Sequence, residues 1–298
     1  MAELAQNFVA VYSKNCYTMA QQKGSKLASC VTRVEGGGER TTLERVGKTE
    51  AQQVTTKYAD SPIIETPLSR RSLFFGEYAW GDMCDWKDDA KLLIDPTGSV
   101  TMAGAAALGR TMDRVIIEKG IFGVAYEGKE GTTQIAFPES QKVSVTAGSA
   151  AGTNTGLNIE KLIQAKSLIG NADIDTDDPN ETLYFVYTQK QLDDLLRSVE
   201  VKSSDYNPVR DLYYGKVDFF MGFKFIRLSK DILPLVADTQ IRNCCAFAKS
   251  CVAFGEPIPI KGRIAERADK QFNWYSFMKM RCGATRFEDG GVVHVPCA

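Results

Sequence analysis

The chain has 298 residues, 44% of them apolar and 24% charged, which excludes disordered and fibrous classes and allows one large or two modest domains. Its 36 basic and 37 acidic residues leave a formal net charge of -1, which argues against a dedicated nucleic-acid reader with its usual basic excess. No apolar run approaches the ~20 residues of a membrane-spanning helix, and "MAELAQNFVAVYSKN" lacks the basic start of a secretory signal, so a soluble cytoplasmic product is expected.

Residues 1–29 read as an amphipathic N-terminal arm, with Leu4, Phe8, Val11 and Tyr12 at helical spacing. From Cys30 to about Trp80 the chain turns strand-like. "CVTRVEGGGERTTLERVG" alternates around three glycines, and Pro62 and Pro67 keep "TKYADSPIIETPLSRRSLFFGEYAW" extended. Too few apolar positions fall here to build a separate core, and the pattern fits a long two-stranded projection. An isolated hairpin is marginal in water. It packs either on its own chain or on a neighbouring subunit, and the sequence leaves both open.

A helix is expected over 99–119, with a start signal at Asp95–Pro96 that can slip to Thr97 or Ser99. Val100, Leu108, Met112, Val115 and Ile116 form its apolar face, and Arg110, Asp113, Arg114 and Glu118 the opposite one. The small residues Ala103, Gly104 and Ala105–Ala107 allow another backbone to approach closely. Within this helix "GAAALGRT", Gly104–Thr111, imitates a phosphate-binding loop with arginine in place of lysine. Such a loop needs free N–H groups at a helix start, and here the chain is already helical before Gly104. A nucleotide-dependent enzyme is the resulting weak rival.

Further along, "VTAGSAAGTNTG" reads as a loop before a helix that carries Leu157, Ile159, Leu162, Ile163 and Ile169. "DIDTDDPNE" reads as a solvated acidic turn, lacking the glycine and terminal glutamate of a calcium loop. "TLYFVY" is a buried strand, and Thr188 with Gln191 makes a capping box. "KVDFFMGFKFIRLS" and "CCAFAKSCVAFGEPIPIKGRI" supply further strands. The end, "WYSFMKMRCGATRFEDGGVVHVPCA", reads as a hairpin turning at Asp289–Gly291. The class is α+β.

Chemistry-bearing groups do not converge. The eight cysteines have no paired metal spacing and read as small buried or half-buried thiols. The single histidine, His294, lies in a strand, and the pairs Asp88–Asp89, Asp177–Asp178 and Asp193–Asp194 read as solvated faces. No catalytic, cofactor or metal site is expected.

The ordered stretches "QQKGSKL", "ERVGKTEAQ", "ADSPIIETPLSRR", "LIDPTGS…LGRTMDRVII", "YTQKQLDDLL", "SSDYNPVRDLYYGKVDFFMGFKFIR" and "ERADKQF…MRCGATRFEDGGVV" together resemble the major capsid proteins of tailed bacteriophages, podovirus-like ones above all. The resemblance implies the Hong Kong 97-like fold. It makes 1–29 an N-arm, 30–82 an extended E-loop, 83–155 P-domain with a long spine helix, 156–262 A-domain, and 263–298 the P-domain's return strand and hairpin. It implies a structural shell protein rather than an enzyme, needing no cofactor. Its expected partners are further copies in hexameric and pentameric capsomers, a portal protein at one vertex and a separate scaffolding protein. Packaged double-stranded DNA, weakly held, and a decoration protein complete that set, and no membrane is expected. The expected place is the virion, after assembly in the host cytoplasm. Arg40, Arg45, Arg70 and Arg71, on the candidate E-loop, are the expected intersubunit contacts. An encapsulin-like nanocompartment is the alternative that shares the fold.

Overall fold

The computed structural model describes residues 21–53, 55–57, 61, 63–84, 96–149, 151–172, 174–176, 178–197, 219–236 and 241–298. Its strands are β1 (Thr32–Val34), β2 (Arg40–Val46), β3 (Leu68–Phe74), β4 (Gly76–Cys84), β5 (Ala125–Glu127) and β6 (Thr133–Ile135), followed by β7 (Leu183–Tyr187), β8 (Phe219–Phe220), β9 (Phe223–Arg227), β10 (Arg242–Ala248), β11 (Val252–Arg267), β12 (Asn273–Arg286) and β13 (Val292–Cys297). The helices are α1 (Pro96–Val115), α2 (Ile159–Asn171) and α3 (Gln189–Arg197). Three sheets result, ordered β1-β11-β12-β4, β13-β10-β7-β9-β8 and β2-β3-β5-β6.

The chain forms two compact bodies. Among the described residues, one holds those of 21–25, 77–111 and 258–281; the other holds those of 26–76, 112–257 and 282–298. In the first body the small residues of α1 do what their size permits. A Cβ on Gly104 would fall 2.4 Å from the Trp80 ring, and one on Gly109 would fall 2.8 Å from the backbone of Gly24. Gly104–Thr111 is thus helix interior packed against other residues, and its backbone N–H groups hold no phosphate. Arg110 is only half exposed and donates to Gln21 Oε1 at 2.8 Å and to the Gln22 carbonyl at 3.2 Å.

The second body contains the larger core. Strand β7 is buried along its whole length between antiparallel β10 and parallel β9. Rings fill the space across these strands, with Tyr184 stacked on Phe247 at 5.6 Å and Phe185 against Phe225 at 5.2 Å. Each fully buried aromatic of this kind contributes about 1.5–3 kcal/mol. Helix α2 starts where Asn158 Oδ1 accepts from the Lys161 N–H at 2.9 Å. At α3 the Gln191 side chain accepts from the Thr188 N–H at 3.2 Å, the reach-back half of the expected capping box.

Three expectations change. The last two strands form no hairpin. Strand β13 pairs with β10 in one sheet while β12 belongs to another, so the Asp289–Gly291 turn passes the chain between sheets. Asp113 is not on a solvated face. It is 0% exposed and accepts from the backbone N–H groups of Lys26 at 3.0 Å and Leu27 at 3.0 Å, fixing the segment that enters the core. Helix α1 begins at Pro96 and passes at Ile116 into a π-helical turn ending at Ile121, rather than continuing as α-helix. Met112, Val115 and Ile116 on the expected apolar face are buried, as is Leu108, and Arg114 and Glu118 are exposed. Residues 1–20 of the expected arm, and Asp95 of the start signal, lie outside the described residues.

Candidate functional site

Strands β2 and β3 pair antiparallel from Arg40↔Phe74 to Val46↔Leu68. Beyond that last pair, the Gly47 N–H donates to the Pro67 carbonyl at 2.7 Å. The burial pattern of β3 divides the hairpin in two. Leu68–Arg70 are exposed or half-buried, whereas Arg71, Ser72 and Leu73 are buried. The proximal half is the part that pairs with β5, through Arg71↔Glu127 and Ser72↔Tyr126. It also passes so close to β12 that a Cβ on Gly283 would fall 2.1 Å from the Phe74 carbonyl oxygen, which only glycine avoids. The distal half carries unpartnered apolar surface: Ile63 is 90% and Leu68 76% exposed, with Val46 and Ile64 also exposed. The sequence left own-chain and neighbour packing open. The hairpin base takes the first, and the described part of the distal half stands clear of its own core.

The four arginines separate accordingly. Arg70 pairs with Glu44 at 3.0 Å, both side chains largely in solvent, so the pair stabilises little. Arg40 donates to the Glu130 carbonyl. Arg45 donates to Ser69 Oγ at 3.1 Å and to the Phe287 carbonyl at 3.1 Å. Arg71 departs from expectation altogether. It is 1% exposed, and its guanidinium meets Asp289 Oδ2 at 2.6 Å and Glu127 Oε2 at 3.7 Å within its own chain. The "SRR" stretch straddles the point where the hairpin leaves the core. One cation faces out and the other is spent inside as an anchor.

The anchor has partners the sequence reading missed. Arg286, 0% exposed, meets Asp289 Oδ1 at 2.5 Å and donates to the carbonyls of Ile121, Gly123, Ala136 and Ile135 at 2.8–3.3 Å. It also lies 5.2 Å from the centre of the Phe137 ring. Burial raises the pKa of Asp289, but hydrogen bonds and charge from Arg71 and Arg286 outweigh it and hold the carboxyl below its ordinary value. One legible signal existed. Arg286 lies at period two from the buried Met278, Met280, Cys282 and Ala284, which places it on the same face of its strand.

The other candidates resolve as structure. Cys30, Cys244, Cys245, Cys251, Cys282 and Cys297 are buried free thiols. Burial pushes Cys251 and Cys282 up to about 12, which keeps them protonated and unreactive. Asp193 accepts from Gln189, and the half-buried Asp194 is raised by desolvation. Asp178 accepts from Asn180 in a turn. Asp88, Asp89 and Asp177 lie outside the described residues. Among the described residues no cluster of His, Cys, Asp and Glu is arranged to hold a metal ion, and no helix is long and apolar enough to cross a membrane. Lys161 is a buried cation missed from sequence. Its Nζ donates to the carbonyls of Thr155 at 2.8 Å and Pro296 at 2.9 Å, tying α2 to β13.

His294 lies edge-on to Phe122 and hydrogen-bonds Asn243 at 2.9 Å. Desolvation, aided by Lys142, depresses its pKa to about 4. Its unfolded value is about 6.5, so the unfolded chain binds the extra proton between these limits. Stability is therefore full above pH ~6.5 and declines as pH falls toward 4, by at most about 1.4 kcal/mol per pH unit. Urea titrations of wild type and His294→Gln should show that slope in the wild type and a flatter profile in the variant. Parallel profiles would remove the assignment.

A family model described as phage capsid protein matches residues 4–298. Among solved structures, an asymmetric unit of the cyanophage Pam1 capsid is similar with a TM-score of 0.70 at 13% identity, covering 100% of this chain and 98% of that one. The capsid of Ralstonia phage GP4 gives 0.69 at 10% identity, covering 100% and 97%. A chain from Mycobacterium phage Che8 gives 0.67 at 17% identity, covering 97% of each. No curated protein matches the chain.

Proposed function

Since the chain belongs to the phage capsid protein family, we propose that its copies close into the icosahedral shell enclosing the double-stranded DNA of a tailed, podovirus-like phage. It is a structural major capsid protein with the mixed sheet-and-helix capsid fold. The family match over nearly the whole chain carries this reading. It favours a genome shell over a cargo compartment, and the helical Gly104–Thr111 leaves the nucleotide enzyme without a phosphate loop.

In this reading the chain assembles as hexameric and pentameric capsomers. Residues 1–29 serve as N-arm, 30–82 as E-loop, 83–155 and 263–298 as P-domain, and 156–262 as A-domain. Support for the E-loop comes from the β2–β3 hairpin, whose exposed apolar distal half has no use in an isolated subunit. A portal at one vertex, a separate scaffolding protein and a decoration protein are the further partners. The near-zero net charge suits an inner wall that lies against DNA without gripping it. Assembly takes place in the host cytoplasm and the product resides in the virion.

Electron microscopy of the purified protein, expressed alone and beside a scaffolding protein from the same genome, tests this. Closed shells or five- and six-fold capsomers are expected. A strictly monomeric product in both settings at high concentration would overturn it.

A further inference from the structure

In the first body the sheet has two unlike faces. Along β12 the buried Ser276, Met278 and Met280 alternate with Tyr275, Phe277, Lys279 and Arg281, which turn to the other side. Strand β11 presents its cations on that same side. Arg267 lies 5.4 Å from the centre of the Tyr275 ring, and a Cβ on Gly262 would fall 3.5 Å from Met278, so Lys261, Arg263 and Arg267 share the side of Tyr275. Arg281 reaches Glu77 of β4 at 3.9 Å, and a Cβ on Gly81 would strike the Tyr275 hydroxyl, so that ring lies across β4 on the same side.

Lys261, Arg263, Arg267, Lys279 and Arg281 thus gather on one face of a chain whose net charge is -1. Glu77 answers Arg281, and Arg267 holds Asp269 by two bonds at 2.9 and 2.6 Å. Lys261, Arg263 and Lys279 are exposed and have no carboxylate partner among the described residues. Between the cations Tyr275 and Phe277 stack with ring centres 6.0 Å apart and form an apolar strip. Alternate residues of one strand are about 6.6–6.8 Å apart, the pitch at which any extended peptide shows every second side chain. An extended segment with Asp or Glu at alternate positions therefore matches these rows charge for charge. The β2–β3 strands are no such segment, because Arg40, Arg45, Arg70 and Arg71 outnumber Glu44 on them. A DNA duplex fits less well, because the 81% exposed Glu77 would meet its phosphates.

We propose that this face is a docking surface for an extended, carboxylate-rich segment of a separate partner protein. Recognition is by alternating negative charge rather than by a deep pocket, so the hold is electrostatic and weakens with salt. This rests on the shell-forming reading only for the setting in which the partner is met. The contact itself belongs to the single subunit.

A short fluorescein-labelled peptide alternating Glu and Thr, titrated against the full unassembled chain by fluorescence anisotropy, reads the contact directly. The competitors are a peptide of the same composition with its glutamates in one block, and DNA of matched charge as duplex and as single strand. The alternating peptide is expected to bind tightest. Its affinity should fall about tenfold in Lys261→Glu/Lys279→Glu, less in Lys261→Gln/Lys279→Gln, and not at all in Arg70→Glu. Both lysines are exposed, so these variants should keep the wild-type thermal midpoint. Equal binding of the two peptides, or a reversal variant that binds as wild type does, overturns the charge match. Tighter binding of either DNA assigns the face to nucleic acid instead. Lys279→Cys tests the remaining occupant in shells closed from this chain alone. A maleimide should label it there as fully as in the free subunit, the six described native thiols being buried and wild type supplying the background. Protection would mean that a second copy covers the face, and overturns the separate partner. Closed shells whose subunits bind no acidic peptide overturn the docking surface and leave the shell reading standing. Peptide binding by a chain that never closes a shell supports the contact and overturns the shell reading instead.

Discussion

Asp289→Asn is expected to lower the unfolding free energy of the unassembled subunit by about 3–5 kcal/mol, the usual cost of breaking a buried ion pair by removing one partner. Asp289 gives one carboxylate oxygen to Arg71 at 2.6 Å and the other to Arg286 at 2.5 Å. The two arginine side chains are 2% and 0% exposed, so neither can recover its hydration when the charge is removed. Glu127, at 3.7 Å from Arg71, serves only one of them. The depressed pKa of Asp289 gives the same prediction along the pH axis. This contribution is complete above the ordinary carboxylate range and is lost as pH falls through the lowered folded value. Arg70→Ala is the control. Its pair with Glu44 is exposed at both ends, and the expected change is within about 0.5 kcal/mol. Urea midpoints at constant m-value separate the two. A midpoint for Asp289→Asn equal to that of Arg70→Ala would mean the carboxylate does not hold the hairpin base.

Replacing residues 48–66 by a two-residue Asn-Gly turn should produce a stable subunit that forms no closed shells. The cut keeps β2 and β3 whole, keeps the Gly47–Pro67 hydrogen bond, and leaves the Arg71–Asp289–Arg286 anchor in place. An Asn-Gly turn suits the twist of a short hairpin. The described residues it removes are exposed, so little core is lost and the thermal midpoint of the subunit should shift by a few degrees at most. Assembly should fall below detection in sedimentation and negative-stain images, because the segment proposed to reach neighbouring copies is gone. A wider excision from Glu35 to Arg71 is a different experiment. It takes the anchor with it and is expected to unfold the subunit. Normal shells from the 48–66 replacement would remove the hairpin from the interface, and a collapsed thermal midpoint would show that it packs on its own chain.

Much of the local structure was legible before any tertiary contact was known. The helix through Gly104–Thr111, the buried strand Leu183–Tyr187, the Thr188–Gln191 reach-back and the exposed alternation of Arg40–Val46 each follow from periodicity, propensity or capping over a few residues. Those signals lie within the segments themselves. Partnership does not. The stretch from Asn273 to Cys297 has the alternation and glycine turn of a hairpin, yet β13 finds its ladder on β10. A strand's pattern tells which face is buried and not which edge it pairs with. The charged residues make the same point. Asp113 was expected on the face opposite the apolar one and Arg71 at a subunit boundary, and neither position, nor those of Lys161 and Arg286, shows in sequence the carbonyls and counter-ions that the fold brings from distant positions. Sequence determined the elements, their inward faces and the want of a core in the hairpin. Tertiary structure decided which cation became its anchor, because burying a charge is favourable only where partners from several strands converge.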